Sequence, residues 1–399
     1  MKRSMLLVGL TLLSLAQAQK TVSLVHSGAI TGPTSDVGGP YAAAIEDYCK
    51  YANEQKLIPG YTLNCIVRDD QYQNPNAQRF LEEALDRAKP AVYLGYATGA
   101  MLALKSLIQE VKLVAIPASA HIGLIDPPDN TYVFLPTSSY SEQVVALLEH
   151  IAREKKGAKV ALVVHPSAFG RAPIEDARKA AAQLGLSIVD VQENGGSLDN
   201  TALLRNLEQK GAEYIVHQNV AGPVANILKD AKRLGLDKKI KQLGAIYTGG
   251  NDLIRLAGDA AEGYLWASSY YTLEEDTPGM RLHRELAAKN NRGVLGQSHN
   301  YTAGLLAAAI AVEAMKRAAQ RFGRIDNATF YDALVGMNGP NAFNPGFVVK
   351  TANSPEIDFT KSEQTGGEGL RVLEVKGGKF VPITQPFTST LFRKVHYGK

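Results

Sequence analysis

The sequence has few cysteines and no concentration of positive charge, and both shortages exclude classes of function. Only two cysteines occur among 399 residues. Neither has a second cysteine or a histidine at the spacing of metal ligands, so no metal site is expected. The net charge is +4, but the basic residues are scattered and form none of the runs that bind phosphate backbones. Nucleic acid is therefore not an expected partner.

The motifs of common enzyme classes are also missing. The sequence contains no H-E-x-x-H, no G-x-x-x-x-G-K-[ST] and no G-x-S-x-G. Asp69 and Asp70 could pass for an acid/base pair, but adjacent residues of a strand point to opposite faces and cannot share one substrate. We interpret them as capping or hinge residues. The chain is therefore predicted not to be an enzyme, and no cofactor is expected.

Residues 1–18 have the pattern of a secretory signal peptide. Lys2 and Arg3 precede an apolar run at 5–15, and the small-residue stretch A-Q-A follows it. The run is shorter than the roughly 20 residues that span a bilayer. Cleavage after this stretch predicts a periplasmic protein. Because no cysteine precedes Cys49, a lipid anchor at the cleavage site is not expected.

The remainder of the chain alternates short apolar runs with amphipathic helical runs. The alternation begins with a strand at 21–27 and restarts with another at 159–165. About 380 residues are more than one hydrophobic core usually holds, so two lobes are expected. The pattern predicts an α/β fold with two doubly wound parallel-sheet lobes.

The last third of the chain predicts how the lobes are joined. Two long helices are expected near 277–291 and 299–321, and a strand-rich tail follows, near 344–350, 370–376 and 379–383. The second helix is too long for the second lobe alone and is expected to return to the first. Several chain crossings would then form a multi-crossing hinge. The predicted division is an N-terminal lobe of residues 19–139 plus 268–343 and a C-terminal lobe of residues 140–267 plus 344–399.

The two cysteines lie in neighbouring predicted elements. Cys49 is late in a helical pattern and Cys65 is in the strand that follows. A disulfide would close a loop of about 15 residues and add roughly 3 kcal/mol of stability in the chain-entropy model. We favour the disulfide, with two separate buried thiols as the alternative.

Four motifs, in this order behind the signal peptide, resemble those of a known family. They are GAITGP at 28–33, DDQYQNPNA at 69–77, IPASA at 116–120 and GDAAEGYLW at 258–266. The chain resembles the type I periplasmic binding proteins of the leucine/isoleucine/valine-binding family, which deliver branched-chain amino acids and related compounds to ABC importers. The resemblance implies a small-molecule ligand in the cleft between the lobes, an ABC permease in the inner membrane as partner, and a monomer.

The resemblance also implies which residues contact the ligand. It places the ligand between two turns of the first lobe, a crossover segment and a closing wall of the second lobe. The corresponding residues are Tyr96, Ala97, Thr98, Ala118, Ser119, Ala120, Tyr140, Phe169, Asn219 and Tyr247. Backbone N–H groups at a helix start suit a carboxylate, and Thr98 can add a hydroxyl.

The predicted site departs from the family where the ligand's ammonium group is held. The family uses carboxylates there, but this sequence has Tyr140 and the Ile246-Tyr247 pair. A buried ammonium group without a carboxylate partner costs several kcal/mol. Either another acid, Asp36 or Asp70, reaches the ligand, or the ligand is not zwitterionic and is an aromatic acid or an amide. A ligand sensor is a further alternative to an importer protein.

Overall fold

The computed structural model describes residues 19–126, 132–352 and 355–398. The predicted signal peptide, residues 1–18, lies outside the described residues. Within the described ranges, none of the helices combines the length and hydropathy needed to cross a bilayer.

The first sheet has four parallel strands in the order β2-β1-β3-β4. Its strands are β1 (Lys20–Gly28), β2 (Tyr61–Asp69), β3 (Val92–Leu94) and β4 (Val114–Ala115), connected by α1 (Ser35–Glu54), α2 (Asn74–Arg87) and α3 (Thr98–Glu110). Residues 22–28 of β1 are buried without interruption. A continuous buried run is typical of a parallel strand with helices on both faces of its sheet.

The second sheet has seven strands in the order β13-β12-β10-β9-β8-β6-β7. Its strands are β6 (Lys159–Val164), β7 (Ser187–Glu193), β8 (Tyr214–Gln218), β9 (Lys241–Gly244), β10 (Leu265–Ser268), β12 (Arg371–Lys376) and β13 (Lys379–Pro382). The helices that pack on it are α4 (Tyr140–Glu154), α5 (Ala168–Arg171), α6 (Ile174–Leu184), α7 (Thr201–Gln209), α8 (Ala221–Arg233), α9 (Asn251–Ala257) and α13 (Thr390–Tyr397). In this sheet β6 to β10 are parallel to one another, and the C-terminal tail adds β12 and β13 as antiparallel strands at one edge.

The predicted strand at 344–350 is wrong. This segment is irregular, and Val348 forms only a single bridge, to Tyr270. Pro345 has no amide hydrogen for a ladder, and Gly346 has a positive φ of 84°. The carboxylate of Glu356 accepts the N–H groups of Gly346 and Phe347, so a side chain replaces the missing strand partner.

After β10 the chain returns to the first sheet, as predicted. Helices α10 (Pro278–Lys289), α11 (His299–Phe322) and α12 (Asn327–Leu334) follow β10, and α11 packs along α1. Gly304 permits this close packing, because a Cβ atom there would lie 2.2 Å from the carbonyl oxygen of Tyr41. We call the first sheet with α1–α3 and α10–α12 the first lobe, and the second sheet with α4–α9 and α13 the second lobe.

Between the lobes, β5 (Leu135–Thr137) pairs in parallel with β11 (Thr365–Gly367). The chain thus passes from one lobe to the other near β5, after β10 and after β11. The residue boundaries given above for the two lobes stay a prediction. The predicted disulfide is confirmed: Cys49 and Cys65 are bonded and join α1 to β2.

Candidate ligand site

A cavity lies between the lobes, beyond the carboxyl ends of strands from both sheets. Its empty volume, which includes space open to solvent, is about 280 Å³. The lining residues are Thr34, Val37, Tyr72, Tyr96, Ala97, Thr98, Ala118, Tyr140, Phe169, Val220 and Tyr247. All of them except Tyr72 are buried. The lobes are closed over the cavity.

Five of the eleven lining residues are aromatic. The ring centroids of Tyr140 and Phe169 are 5.1 Å apart, and that of Tyr247 lies 6.2 Å from Tyr140 and 6.0 Å from Phe169. On the first-lobe side, Tyr72 and Tyr96 meet edge to face at 6.3 Å. These rings offer apolar surface to a hydrocarbon group and negative ring faces to a cation.

Several hydroxyl groups of the wall have partners within the protein. The Tyr96 hydroxyl donates to the carbonyl oxygen of Thr34 at 2.9 Å, and Thr98 Oγ1 lies 2.7 Å from Ser119 Oγ. The Tyr247 hydroxyl donates to the carbonyl oxygen of Ala118 at 2.6 Å. Because Tyr247 belongs to the second lobe and Ala118 follows β4 of the first, this bond crosses the cleft.

Three helices begin at the cavity without a side-chain hydrogen bond from their own N-cap residue. The N-cap residues of α1, α3 and α8 are Thr34, Ala97 and Val220, and all three line the cavity. None of these helices has a side-chain hydrogen bond at its N-cap. The first N–H groups of a helix have no partner inside the helix, and their dipoles favour negative charge. This end of the cavity is therefore suited to a carboxylate.

No carboxylate is among the residues that line the cavity within the described part of the chain. Burial also raises the pKa of Tyr96, Tyr140 and Tyr247 above the ordinary value, so these phenols are neutral. The two acids that the sequence offered lie behind the wall. Asp36 Oδ2 accepts the N–H of Gly222 at 3.2 Å.

The other acid, Asp70, is held by the turn that follows β2. Its Oδ1 accepts the N–H of Tyr72 at 2.8 Å, while its buried Oδ2 has no hydrogen-bond partner in the structure. Burial raises the pKa of Asp70 to about 6. Its neighbour Asp69 accepts N–H groups of Ile30 and Thr31, which ties the loop after β1 to the end of β2.

The structure brings most of the predicted contact residues together. Seven of them line the cavity: Tyr96, Ala97, Thr98, Ala118, Tyr140, Phe169 and Tyr247. Ser119 lies behind them, bonded to Thr98, and the Ala120 carbonyl accepts the N–H of Tyr140 at 2.9 Å. The Asn219 side chain donates to the carbonyl of Asn194 and accepts from the N–H of Val220. Contact of these ten residues with a ligand stays a prediction.

Four lining residues were missed from the sequence: Thr34, Val37, Tyr72 and Val220. Thr34 and Tyr72 have left-handed backbone, with φ of 61° and 62°. Non-glycine residues rarely adopt this conformation, and those that do are concentrated at functional sites. The available signals were positional. Thr34 follows the Gly32-Pro33 turn, and Val220 is the apolar neighbour of the predicted Asn219.

Residues 21–379 match the family model described as periplasmic binding protein. The chain belongs to this family. A structure of a branched-chain amino acid ABC transporter from Thermus thermophilus with bound valine is 71% identical, with a TM-score of 0.94 over 95% of this chain and 100% of that one. These findings confirm the predicted family and fold.

Two more distant binding proteins show how far the likeness extends. The leucine-, isoleucine-, valine-, threonine- and alanine-binding protein of Pseudomonas aeruginosa is 21% identical over 278 residues, 69% of this chain and 74% of its own length. A solute-binding protein from R. palustris in complex with 4-hydroxybenzoate is 18% identical, with a TM-score of 0.76 over 93% of this chain and 98% of that one. At this identity, the second comparison shows only a shared fold.

Proposed function

We propose that this protein is the extracytoplasmic substrate-binding protein of an ABC importer and that its cavity holds a branched-chain amino acid. The observation that carries the proposal is the closed aromatic cavity at three helix starts whose own N-cap residues make no side-chain hydrogen bond. The 71% identical relative, described with bound valine, supports the choice of ligand.

Each part of such a ligand has a counterpart in the wall. The carboxylate would accept N–H groups at the start of α3, beside the hydroxyl of Thr98. The branched hydrocarbon would pack against Tyr140, Phe169 and Tyr247, whose rings surround one end of the cavity. The ammonium group would lie against ring faces, since no carboxylate lines the cavity within the described residues.

That uncharged wall favours a second candidate, a carboxylate ligand without an ammonium group, such as an aromatic acid. A ligand of this kind would use the same N–H groups and rings and would leave no buried cation to be compensated. The two candidates therefore differ at one chemical group, the ammonium.

Calorimetric titration of the mature protein, unfolded and refolded to remove carried ligand, would test both. Valine would be compared with isovalerate, which lacks the ammonium group, with isobutylamine, which lacks the carboxylate, and with 4-hydroxybenzoate. We expect valine to bind and isobutylamine to bind far more weakly, because isobutylamine has no carboxylate to accept the N–H groups at the helix starts. Binding of 4-hydroxybenzoate with no binding of valine would contradict the first candidate and favour the second.

The proposed partner is a permease in the inner membrane, and the protein is proposed to act as a periplasmic monomer without enzymatic activity. An importer role predicts that deleting the gene lowers cellular uptake of labelled valine. Unchanged uptake combined with tight binding in vitro would favour a sensor.

A further inference from the structure

Behind the wall of the ligand cavity, polar contacts cross the cleft at a second place, where helix starts from the two lobes meet. Asp36 is in the first turn of α1, in the first lobe, and its Oδ2 accepts the N–H of Gly222, in the first turn of α8 in the second lobe. The residue that would normally cap α8 is Val220, which has no side-chain acceptor. Asp36 therefore supplies, from the opposite lobe, the acceptor that α8 lacks in its own.

A second carboxylate makes the reciprocal contact. Asp252 lies in the first turn of α9, in the second lobe, and its Oδ2 accepts the hydroxyl of Ser298. Ser298 is the N-cap of α11, in the first lobe, and its Oγ accepts the N–H of Asn300 at 3.1 Å. The Ser298 hydroxyl thus caps its own helix and donates a hydrogen bond across the cleft.

The two contacts belong to one network. The Asn300 side chain donates to the carbonyl oxygen of Asp36 at 3.4 Å, which links the start of α11 to the start of α1. Hydrogen bonds therefore run from Asp252 through Ser298 and Asn300 to Asp36 and on to Gly222, and they cross the cleft twice. Burial, with a smaller contribution from the negative charge of Asp252, raises the pKa of Asp36.

We propose that Asp36 and Asp252 are positioning residues that latch the lobes together by holding helix starts of the opposite lobe. Neither carboxylate lines the cavity, so the latch acts on the ligand only by holding Val220 and Tyr247 of the second lobe against the first. Hydrogen bonds of this kind can form only when the lobes are closed. The latch should therefore slow ligand release and leave the rate of association almost unchanged.

The latch rests on the proposed function in one respect, which is that the ligand is what closes the lobes. Its test compares the wild type with Asp36→Ala, Asp36→Asn and Ser298→Ala, using valine as the probe in stopped-flow and calorimetric measurements. Asp36→Ala and Ser298→Ala should each raise the dissociation rate and Kd about tenfold, the factor expected for a lost hydrogen bond to a charged group. Asp36→Asn keeps an oxygen acceptor for Gly222 and should stay within about threefold of the wild type.

The melting temperature of the ligand-free protein separates a latch from an ordinary structural contact. A latch that forms only on closure leaves this temperature unchanged in Asp36→Ala, whereas a fold-stabilising contact would lower it. An unchanged dissociation rate in Asp36→Ala would overturn the proposal. The proposal would also be overturned if Asp36→Asn lost as much affinity for valine as Asp36→Ala does while both kept their affinity for isovalerate. That result would make Asp36 a direct partner of the ammonium group.

Failure of the proposed function would be recognised separately. A wild type that binds no branched-chain amino acid would contradict the proposed ligand but not the latch. The dissociation rate of 4-hydroxybenzoate, the ligand of the second candidate, then decides, because a working latch makes Asp36→Ala release it about tenfold faster than the wild type. Equal dissociation rates would overturn the latch.

Discussion

Among the residues of the cavity, Tyr247 combines two roles. Its ring is part of the aromatic wall, and its hydroxyl donates to the carbonyl of Ala118 across the cleft. Tyr247→Phe keeps the ring and removes the bond. We expect Kd for valine to rise about fivefold, the effect of a net hydrogen bond near 1 kcal/mol.

Tyr264→Phe is the matched control for this prediction. Its hydroxyl donates to Thr248 Oγ1 at 2.8 Å, entirely within the second lobe, so its loss should affect stability and leave Kd unchanged. Calorimetric titration with valine measures both variants. Equal effects of the two substitutions on Kd would show that the cross-cleft bond has no special role.

A different buried residue, Glu142, makes stability depend on pH. Burial, aided by the negative charge of Glu368, raises the pKa of Glu142 from 4.5 to about 8. Between these values the folded protein holds a proton that the unfolded chain has lost. The free energy of unfolding therefore falls as pH rises, with a limiting slope of about 1.4 kcal/mol per pH unit.

Glu142→Gln removes this ionisation. We expect its melting temperature to exceed that of the wild type by a larger margin at pH 8 than at pH 5, as measured by calorimetry. Glu83→Gln, at an exposed position of α2, serves as the control and should show no such trend. A margin independent of pH for Glu142→Gln would contradict the prediction.

The resemblance to the family predicted much of the cavity wall, but only where the backbone is regular. Tyr96, Ala97 and Thr98 lie between the end of β3 and the first turn of α3, and the carboxyl end of a parallel strand is where doubly wound sheets bind ligands. Thr34 and Tyr72 reach the cavity through left-handed backbone. No local pattern in the sequence indicates that conformation for a tyrosine, and for Thr34 the available signal was its position after the Gly32-Pro33 turn.

At the scale of elements, buried strands and long helices were predictable because their apolar patterns are continuous. The prediction of α11 near 299–321 differs from the observed His299–Phe322 by one residue. The segment 344–350 misled because its backbone pairing is limited to a single bridge, from Val348 to Tyr270, while the Glu356 carboxylate accepts the N–H groups of Gly346 and Phe347. A side chain that takes the place of a strand leaves no periodic signal.

The packing of α11 on α1 gives a prediction at this scale. Gly304 is buried in α11, and a Cβ atom there would lie 2.2 Å from the carbonyl oxygen of Tyr41 and 2.8 Å from the Cβ atom of Ala44. Gly304→Ala should therefore separate the helices and lower stability by about 1–3 kcal/mol, despite the gain of about 1 kcal/mol in helix propensity. Urea unfolding measures the change.

The control for Gly304→Ala is Gln320→Ala, at an exposed position of the same helix. It changes propensity without touching α1 and should leave the free energy of unfolding nearly unchanged. If Gly304→Ala stabilised the protein, propensity would outweigh the close approach, and the packing described for α11 would be wrong.

For the whole molecule, closure of the lobes should be visible in the fluorescence of Trp266, the one tryptophan in the sequence. Trp266 is in β10 of the second lobe, and its indole ring meets the ring of His299, in α11 of the first lobe, with centroids 5.0 Å apart. It is 1% exposed in the closed form. Opening of the lobes would move His299 away from the indole and admit water to it. Adding valine to the stripped protein should therefore shift the emission to shorter wavelength, and this shift should saturate with the Kd measured by calorimetry.

The neutral state of His299 simplifies this measurement. Burial lowers the pKa of His299 to about 4, so the imidazole stays uncharged from pH 6 to 8 and the closed-state emission should be constant over that range. Wild type and Asp36→Ala should reach the same final emission at saturating valine, because the latch changes how long the lobes stay closed and not where Trp266 lies once they are. An emission that does not respond to valine, in a protein that binds it, would mean that the lobes are closed before the ligand arrives.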